Sequence, residues 1–256
     1  MSHDPVAIAR RAITLLDLTE LGDAASDDDV ISLCERATGP HGDVAAVCVW
    51  PRHVALAVER LWGTSVRIAT VVNFPSGDEP VEDVVAMTRQ ALADGADEID
   101  LVLPHRALAA GDDAAAAAMV DAVRAVVPHD SHALKVILET GELVDPALIH
   151  RAAQLAVDHG ADFIKTSTGK TPRSATLEAT AVMLAVLHDT DRPVGLKPSG
   201  GIRTLDDATH YILQADEAMG DGWATPTTFR FGASGLLTAL LAAVEGDAGV
   251  TSTEAY

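Results

Sequence analysis

The sequence predicts a single-domain α/β fold: eight strands closed into a (β/α)8 barrel, the TIM-barrel architecture, with extra helices near its N-terminus. Three observations predict it. Apolar, β-branched runs recur about every 30 residues with helical patterns between them, which argues for a parallel sheet. Eight such runs fit into 256 residues, close to the roughly 250 that a closed barrel takes. The rival architecture, an open doubly wound sheet, usually carries a glycine-rich turn after its first strand; no such turn follows either early run.

In chain order the strands are centred in residues 13–19, 44–50, 66–74, 97–104, 132–140, 162–167, 193–200 and 228–235. Helical stretches at 5–12 and 27–37 precede the second strand. Residues 80–93 begin on a proline, place Val81, Val84, Val85 and Leu92 on one face, and stop just before Gly95; these are helix start and stop signals. The alanine run at 114–118 is a strong helix former. Residues 177–187 and 205–213 read the same way. The barrel domain is expected to span residues 1–245, followed by a tail at 246–256. The tail is small, polar and glycine-containing, a composition that favours mobility.

Composition narrows the function. The net charge of −20 would be repelled by a nucleic-acid duplex or an anionic membrane, so neither is an expected partner. No stretch approaches the roughly 18 apolar residues of a membrane span, and MSHDPVAIARRA has no secretory pattern. A soluble cytoplasmic protein is expected. Cys34 and Cys48 have the spacing of neither a disulfide framework nor a zinc site, and the ten histidines show no metal spacing. Trp50, Trp62 and Trp223 read as core or interface residues. The sequence leaves a homodimer open.

Lysine usage points to chemistry. The chain holds only four lysines, Lys135, Lys165, Lys170 and Lys197, and three of them fall inside strand-like apolar runs, although lysine normally sits on the surface. Side chains alternate along a strand. If Ile99, Leu101 and Leu103 face the helices, Asp100 and Val102 face the barrel axis. The same parity puts Lys135, Ile137 and Glu139 inside, along with Lys165, Lys197, Cys48, Gly232 and Ser234. Buried charges have to be paired, so this set is either an ion-pair network that holds the barrel together or a catalytic site. The charges fall toward the C-terminal ends of the strands, where barrel active sites lie.

A lysine that attacks a carbonyl must be neutral, and at pH 7 only about one unperturbed lysine in 2,500 is. Lys165 and Lys197 lie on consecutive strands, which run ~4.8 Å apart. The ammonium of one would suppress protonation of the other, the route to a Schiff-base amine. Asp100 could shuttle protons, with Lys135 as its counter-charge. Ser199-Gly200-Gly201-Ile202-Arg203 follows strand seven and Gly232-Ala233-Ser234-Gly235 follows strand eight. Barrels often bind phosphate there, although paired glycines also mark ordinary turns.

The segments VVNFPSG, GADEIDLVLP, LKVILETGEL, GADFIKTSTGK, GLKPSGGIRT and FRFGASGLL, in this order, resemble the motif set of the deoxyribose-phosphate aldolases. The likeness runs from about Asp17 to the end of the chain. It implies a cofactor-free, metal-free class I aldolase that interconverts 2-deoxy-D-ribose 5-phosphate with D-glyceraldehyde 3-phosphate and acetaldehyde. It further implies that Lys165 forms the Schiff base, Lys197 perturbs its pKa, and Asp100 relays protons through water. Gly200, Gly201, Arg203, Gly232 and Ser234 would surround the phosphate, Thr168 and Lys170 would help hold substrate, and Asp17, Cys48 and Lys135 would line the site. Longer bacterial members carry two serines in the last motif, where this chain has Ser234 followed by Gly235. They also end on tyrosine, as here with Tyr256, which implies a general acid/base for the enamine carbon. Another Schiff-base sugar-phosphate aldolase, or a non-catalytic sugar-phosphate-binding barrel, are the alternatives.

Overall fold

The computed structural model describes residues 4–246. Helix α1 spans Pro5–Thr14. Asp4 caps it by accepting from the Val6 N–H at 3.0 Å, and Pro5 opens it with a preset φ. The helix runs two residues beyond the expected 5–12, because Ile8, Ala9, Ala12 and Ile13 form one continuous buried face. Strand β1 is therefore Leu16–Glu20 rather than a segment beginning at residue 13. Helix α2 is Asp27–Arg36, opened by a Ser26/Asp29 capping box.

The strand-helix alternation continues as β2 (Ala46–Val49), α3 (Val54–Arg60), β3 (Arg67–Val72), α4 (Val81–Ala93) and β4 (Glu98–Val102). Next come the short α5 (His105–Ala109), then α6 (Asp113–Arg124), β5 (Ala133–Ile137), the single turn α7 (Thr140–Leu143) and α8 (Pro146–Asp158). The chain continues through β6 (Phe163–Lys165), α9 (Leu177–His188), β7 (Gly195–Lys197), α10 (Leu205–Met219), β8 (Phe231–Ala233) and α11 (Leu236–Glu245). All the strand pairs are parallel, in the order β7-β6-β5-β4-β3-β2-β1-β8. Parallel bridges Leu196↔Phe229 and Ser199↔Gly232 join β7 to β8 and close the barrel. Strands β7 and β8 are each three residues long, shorter than expected. Pro198 has no N–H to extend the ladder of β7, and the chain turns at Gly200 and Gly201, which both have positive φ.

Two apolar layers result. Val47, Val49, Ile99, Leu101, Leu134, Val136, Ile164, Leu196 and Phe229 pack outward in one large cluster with the helices. Cys48, Ala69, Val71, Val102 and Ile137 form a smaller cluster in the bore. Trp50 packs against that inner cluster, edge-on to Phe74. Trp62 is no core residue: it is 85% exposed, directly after α3. No helix among the described residues is long and apolar enough to cross a membrane.

The floor of the bore is built from Phe163 and Gly195, which lie side by side in the β6–β7 register. A Cβ added at Gly195 would lie 2.2 Å from Phe163 Cε1, so the ring occupies the space that a side chain on β7 would take. We expect Gly195→Ala to destabilise the fold by about 1–3 kcal/mol through overpacking, lowering Tm by roughly 5 °C in a thermal melt. An unchanged Tm would mean that the ring can move aside at no cost.

Candidate active site

Above this floor the bore holds charge instead of branched apolar side chains. Asp17, Asp100, Lys135, Lys165 and Lys197 have no solvent exposure, and Glu98 and Arg230 are nearly as deep. The β4–β5 pairing sets Asp100 beside Lys135, and the β6–β7 pairing sets Lys165 beside Lys197. Asp100 is the hub. Its Oδ1 accepts from Lys135 Nζ at 2.7 Å, and its Oδ2 accepts from Lys165 Nζ at 2.9 Å and from Lys197 Nζ at 2.8 Å.

The lysines differ in their other partners. Lys197 Nζ also reaches Asp17 Oδ2 at 2.5 Å. Lys135 Nζ lies 2.6 Å from Glu98 and 3.6 Å from Asp17. Asp100 is the one carboxylate paired with Lys165 among the described residues. Below them, Arg230 donates to Asp17 Oδ1 at 2.6 Å and to Glu98 Oε1 at 3.0 Å, with its guanidinium carbon 5.7 Å from the Phe163 ring centroid.

These contacts decide the protonation states. Burial is the largest influence on Lys165 and lowers its pKa. The Asp100 carboxylate pulls the other way and the Lys197 ammonium lowers it again, leaving the amine below the ordinary lysine value. Burial would lower Lys197 too, but Asp100 and Asp17 outweigh it and hold that amine well above its ordinary value. Burial opposes the ionisation of Asp100, yet Lys135, Lys165 and Lys197 keep the carboxyl well below the usual range. Burial pushes the Cys48 thiol up, so it lines the bore as a neutral, apolar group.

The loops at the C-terminal ends of the strands complete the site. Thr168 is fully buried; its hydroxyl donates to Glu139 Oε2 and accepts from the Lys170 N–H at 3.0 Å. Glu139, at φ 55°, holds the loop after β6 by accepting also from the Thr168 N–H and the Thr171 hydroxyl. Lys170 Nζ pairs with Asp23 at 2.8 Å at the rim. The hydroxyls of Ser167 and Ser199 are buried without a hydrogen-bond partner among the described residues, polar groups suited to a polar ligand.

Of the glycines expected around a phosphate, Gly200 donates its N–H to Gly232 O at 3.2 Å, and Gly232 donates its own to Pro198 O at 2.9 Å. Both N–H groups therefore serve barrel closure. Gly232 also clears space: a Cβ there would stand 2.2 Å from Ser199 Oγ and 3.2 Å from Lys197 Cε. Gly201 is exposed at φ +80°, and its N–H and that of Ser234 have no partner among the described residues. Helix α11 follows directly, with Gly235 at its N-cap and no side chain accepting from its first N–H groups. Arg203 is exposed in the loop after β7, its own N–H held by Asp207 at 3.0 Å. Tyr256 lies outside the described residues.

The structure thus gathers Asp100, Lys135, Lys165, Lys197, Asp17 and Cys48 in one bore, and leaves Thr168, Lys170, Arg203 and Ser234 in the loops above it. Glu98 and Arg230 were missed from the sequence. The strand parity that turns Asp100 and Gly232 inward does the same two residues earlier on each strand, so the signal for both was present.

Comparison with known proteins fits this geometry. The DeoC/LacD family aldolase profile matches residues 11–240. A curated deoxyribose-phosphate aldolase of Agrobacterium fabrum is 50% identical over 254 residues, covering 98% of this chain and 97% of its own. A solved structure from Coccidioides immitis, assigned as a deoxyribose-phosphate aldolase, superposes with a TM-score of 0.79 at 30% identity, over 91% of this chain and 85% of that one. One from Toxoplasma gondii ME49, assigned likewise, reaches 0.86 at 25% identity, over 94% and 95%. The chain belongs to the DeoC/LacD family of aldolases.

Proposed function

We propose that the chain interconverts 2-deoxy-D-ribose 5-phosphate with D-glyceraldehyde 3-phosphate and acetaldehyde, through a Schiff base on Lys165. The observation that carries this reading is the difference between two adjacent buried amines. Lys197 is held as an ammonium by two carboxylates, whereas Lys165 shares one with it and gives up its proton more readily. A neutral amine in a bore with an adjacent cation is the arrangement that attacks carbonyls.

The free amine of Lys165 adds to C1 of the open-chain sugar, and loss of water from the carbinolamine leaves an iminium. The C3 hydroxyl then gives up its proton and the C2–C3 bond breaks. Its electron pair moves into the C1–C2 enamine and neutralises the iminium nitrogen. C3 becomes the aldehyde of glyceraldehyde 3-phosphate. Protonation of the enamine at C2 and hydrolysis release acetaldehyde and restore the amine. Asp100, kept ionised by the Lys135 and Lys197 ammonium groups, orients the Lys165 amine and passes protons through water without retaining them. Lys135 acts as its counter-charge from below. The Gly201 and Ser234 N–H groups, the N-terminus of α11 and the Arg203 side chain receive the phosphate, which sets the carbonyl end of the sugar into the bore.

Three outcomes are expected. Lys165→Ala abolishes both cleavage and borohydride trapping of acetaldehyde; a label appearing on Lys197 instead would reverse the assignment. Lys197→Leu removes the like charge, so the pKa of Lys165 rises and the acid limb of the rate profile moves to higher pH as the rate falls. A lower rate with an unmoved profile would remove the electrostatic role. Gly201→Val raises KM for the phosphorylated sugar by about tenfold, as expected for losing one charge-assisted contact, and leaves free deoxyribose nearly unaffected. Equal losses for both sugars would place the phosphate elsewhere.

A further inference from the structure

The buried charges of the bore do not balance when every base is protonated. Its carboxylates are Asp17 on β1 with Glu98 and Asp100 on β4; its bases are Lys135, Lys165, Lys197 and Arg230 on or beside β5 to β8. That is three negative groups against four positive ones. The remaining strands add little. Cys48 on β2 is a neutral thiol. Arg67, at the start of β3, is 3.6 Å from Glu98 with its side chain 40% exposed, and water screens it. Glu139, above β5, is bound by Thr168 and Thr171 and forms no ion pair with the lysines among the described residues.

An uncompensated charge in such a place is costly, so one base must give up its proton. Arginine does not do so in proteins. Of the lysines, Lys135 touches three carboxylates and Lys197 two. Lys165 touches one, which it shares. The surplus therefore falls on Lys165, and Arg230 creates that surplus from the far end of the bore.

We propose that Arg230 is a positioning residue for the reaction: its permanent charge, with Glu98 as the opposing weight, sets the pH at which Lys165 becomes neutral. It acts through two ion pairs, Arg230–Asp17 and Asp17–Lys197, and touches no reacting atom. The inference rests on the reading of Lys165 as the nucleophile. A purely architectural salt bridge would instead be indifferent to the sign of the charge that is removed.

That difference defines the experiment. The full-length chain is labelled with acetaldehyde and cyanoborohydride across roughly pH 5 to 10, a range that brackets a lowered lysine pKa. The modified peptide is mapped, and the midpoint of the Lys165 labelling rate is recorded. Arg230→Met leaves three carboxylates to three lysines, so Lys165 keeps its proton and the midpoint rises by about one pH unit. Glu98→Gln, nearly isosteric, leaves two carboxylates to four bases, and the midpoint falls by about one unit. Arg230→Lys retains the charge and the parental midpoint, and the double variant Arg230→Met/Glu98→Gln returns toward it. Midpoints that stay parental in both single variants, or that move in the same direction, overturn the proposal. If Arg230→Met does not fold, Arg230→Gln removes the same charge while keeping a hydrogen-bond donor, and a midpoint that stays parental in it overturns the proposal equally. A parent protein that takes no label at Lys165 would instead sink the reading of the nucleophile, and this inference with it.

Discussion

The Asp100 carboxylate organises this molecule. It sits with no solvent exposure at the centre of a barrel and holds three lysine ammonium or amine groups at 2.7 to 2.9 Å. Such a cluster is a poor way to stabilise a fold, because desolvating each ion costs several kcal/mol and the pairing returns little beyond it. An ordinary barrel would fill the same volume with valine, isoleucine and leucine. The charges remain tolerable because each acid and each base has an ion-pair partner. The apolar work is transferred to the outer layer, where the strands meet the helices. Stability and chemistry thus occupy opposite faces of the same eight strands.

That division is why much of the site could be read from the sequence. Period-two alternation assigns each strand residue to a face, and an acid or a lysine amid an apolar run can only face inward. Asp100, Lys135, Lys165 and Lys197 follow from that rule alone. Glu98 and Arg230 obey it equally, but they lie toward the N-terminal ends of their strands, away from where barrel chemistry is sought, and an arginine flanked by phenylalanines looks like a strand edge. The extension of α1 through Thr14 was hidden because Ala12 and Ile13 serve a helix face and Leu15 and Leu16 lead into a strand, with only the β-branched Thr14 between them. Trp62 carries no periodic signal, and its exposure follows only from where α3 ends.

The duties of the glycines were not legible, for a different reason. Gly200, in the loop after β7, and Gly232, within β8, belong to segments where a phosphate is expected, yet their N–H groups are consumed in joining β7 to β8. Which N–H groups remain for a ligand depends on how two distant segments pair when the barrel closes. Local turn chemistry predicts that the backbone bends there; it does not reveal which donors the closure has already used. The same holds for Thr168, whose hydroxyl donates to Glu139, 29 positions away in the chain.

Closure also makes two matched lysines electrostatically unequal. Lys165 and Lys197 are partners in register on neighbouring strands, and nothing in their immediate sequence ranks them. The ranking comes from Asp17 on β1. Around the ring, β1 is separated from β7 by β8 alone, and from β6 by one strand more. At the intervening level β8 carries Gly232, where any Cβ would crowd Lys197 Cε and Ser199 Oγ. The missing side chain opens a passage through which Lys197 reaches Asp17 at 2.5 Å. A second carboxylate fixes Lys197 as the cation. Lys165, one strand farther on, is left with a shared one. The glycine that resembles part of a phosphate loop therefore has an electrostatic consequence deeper in the barrel: by adding nothing to the bore, it lets one lysine take the charge and leaves the other free to lose it.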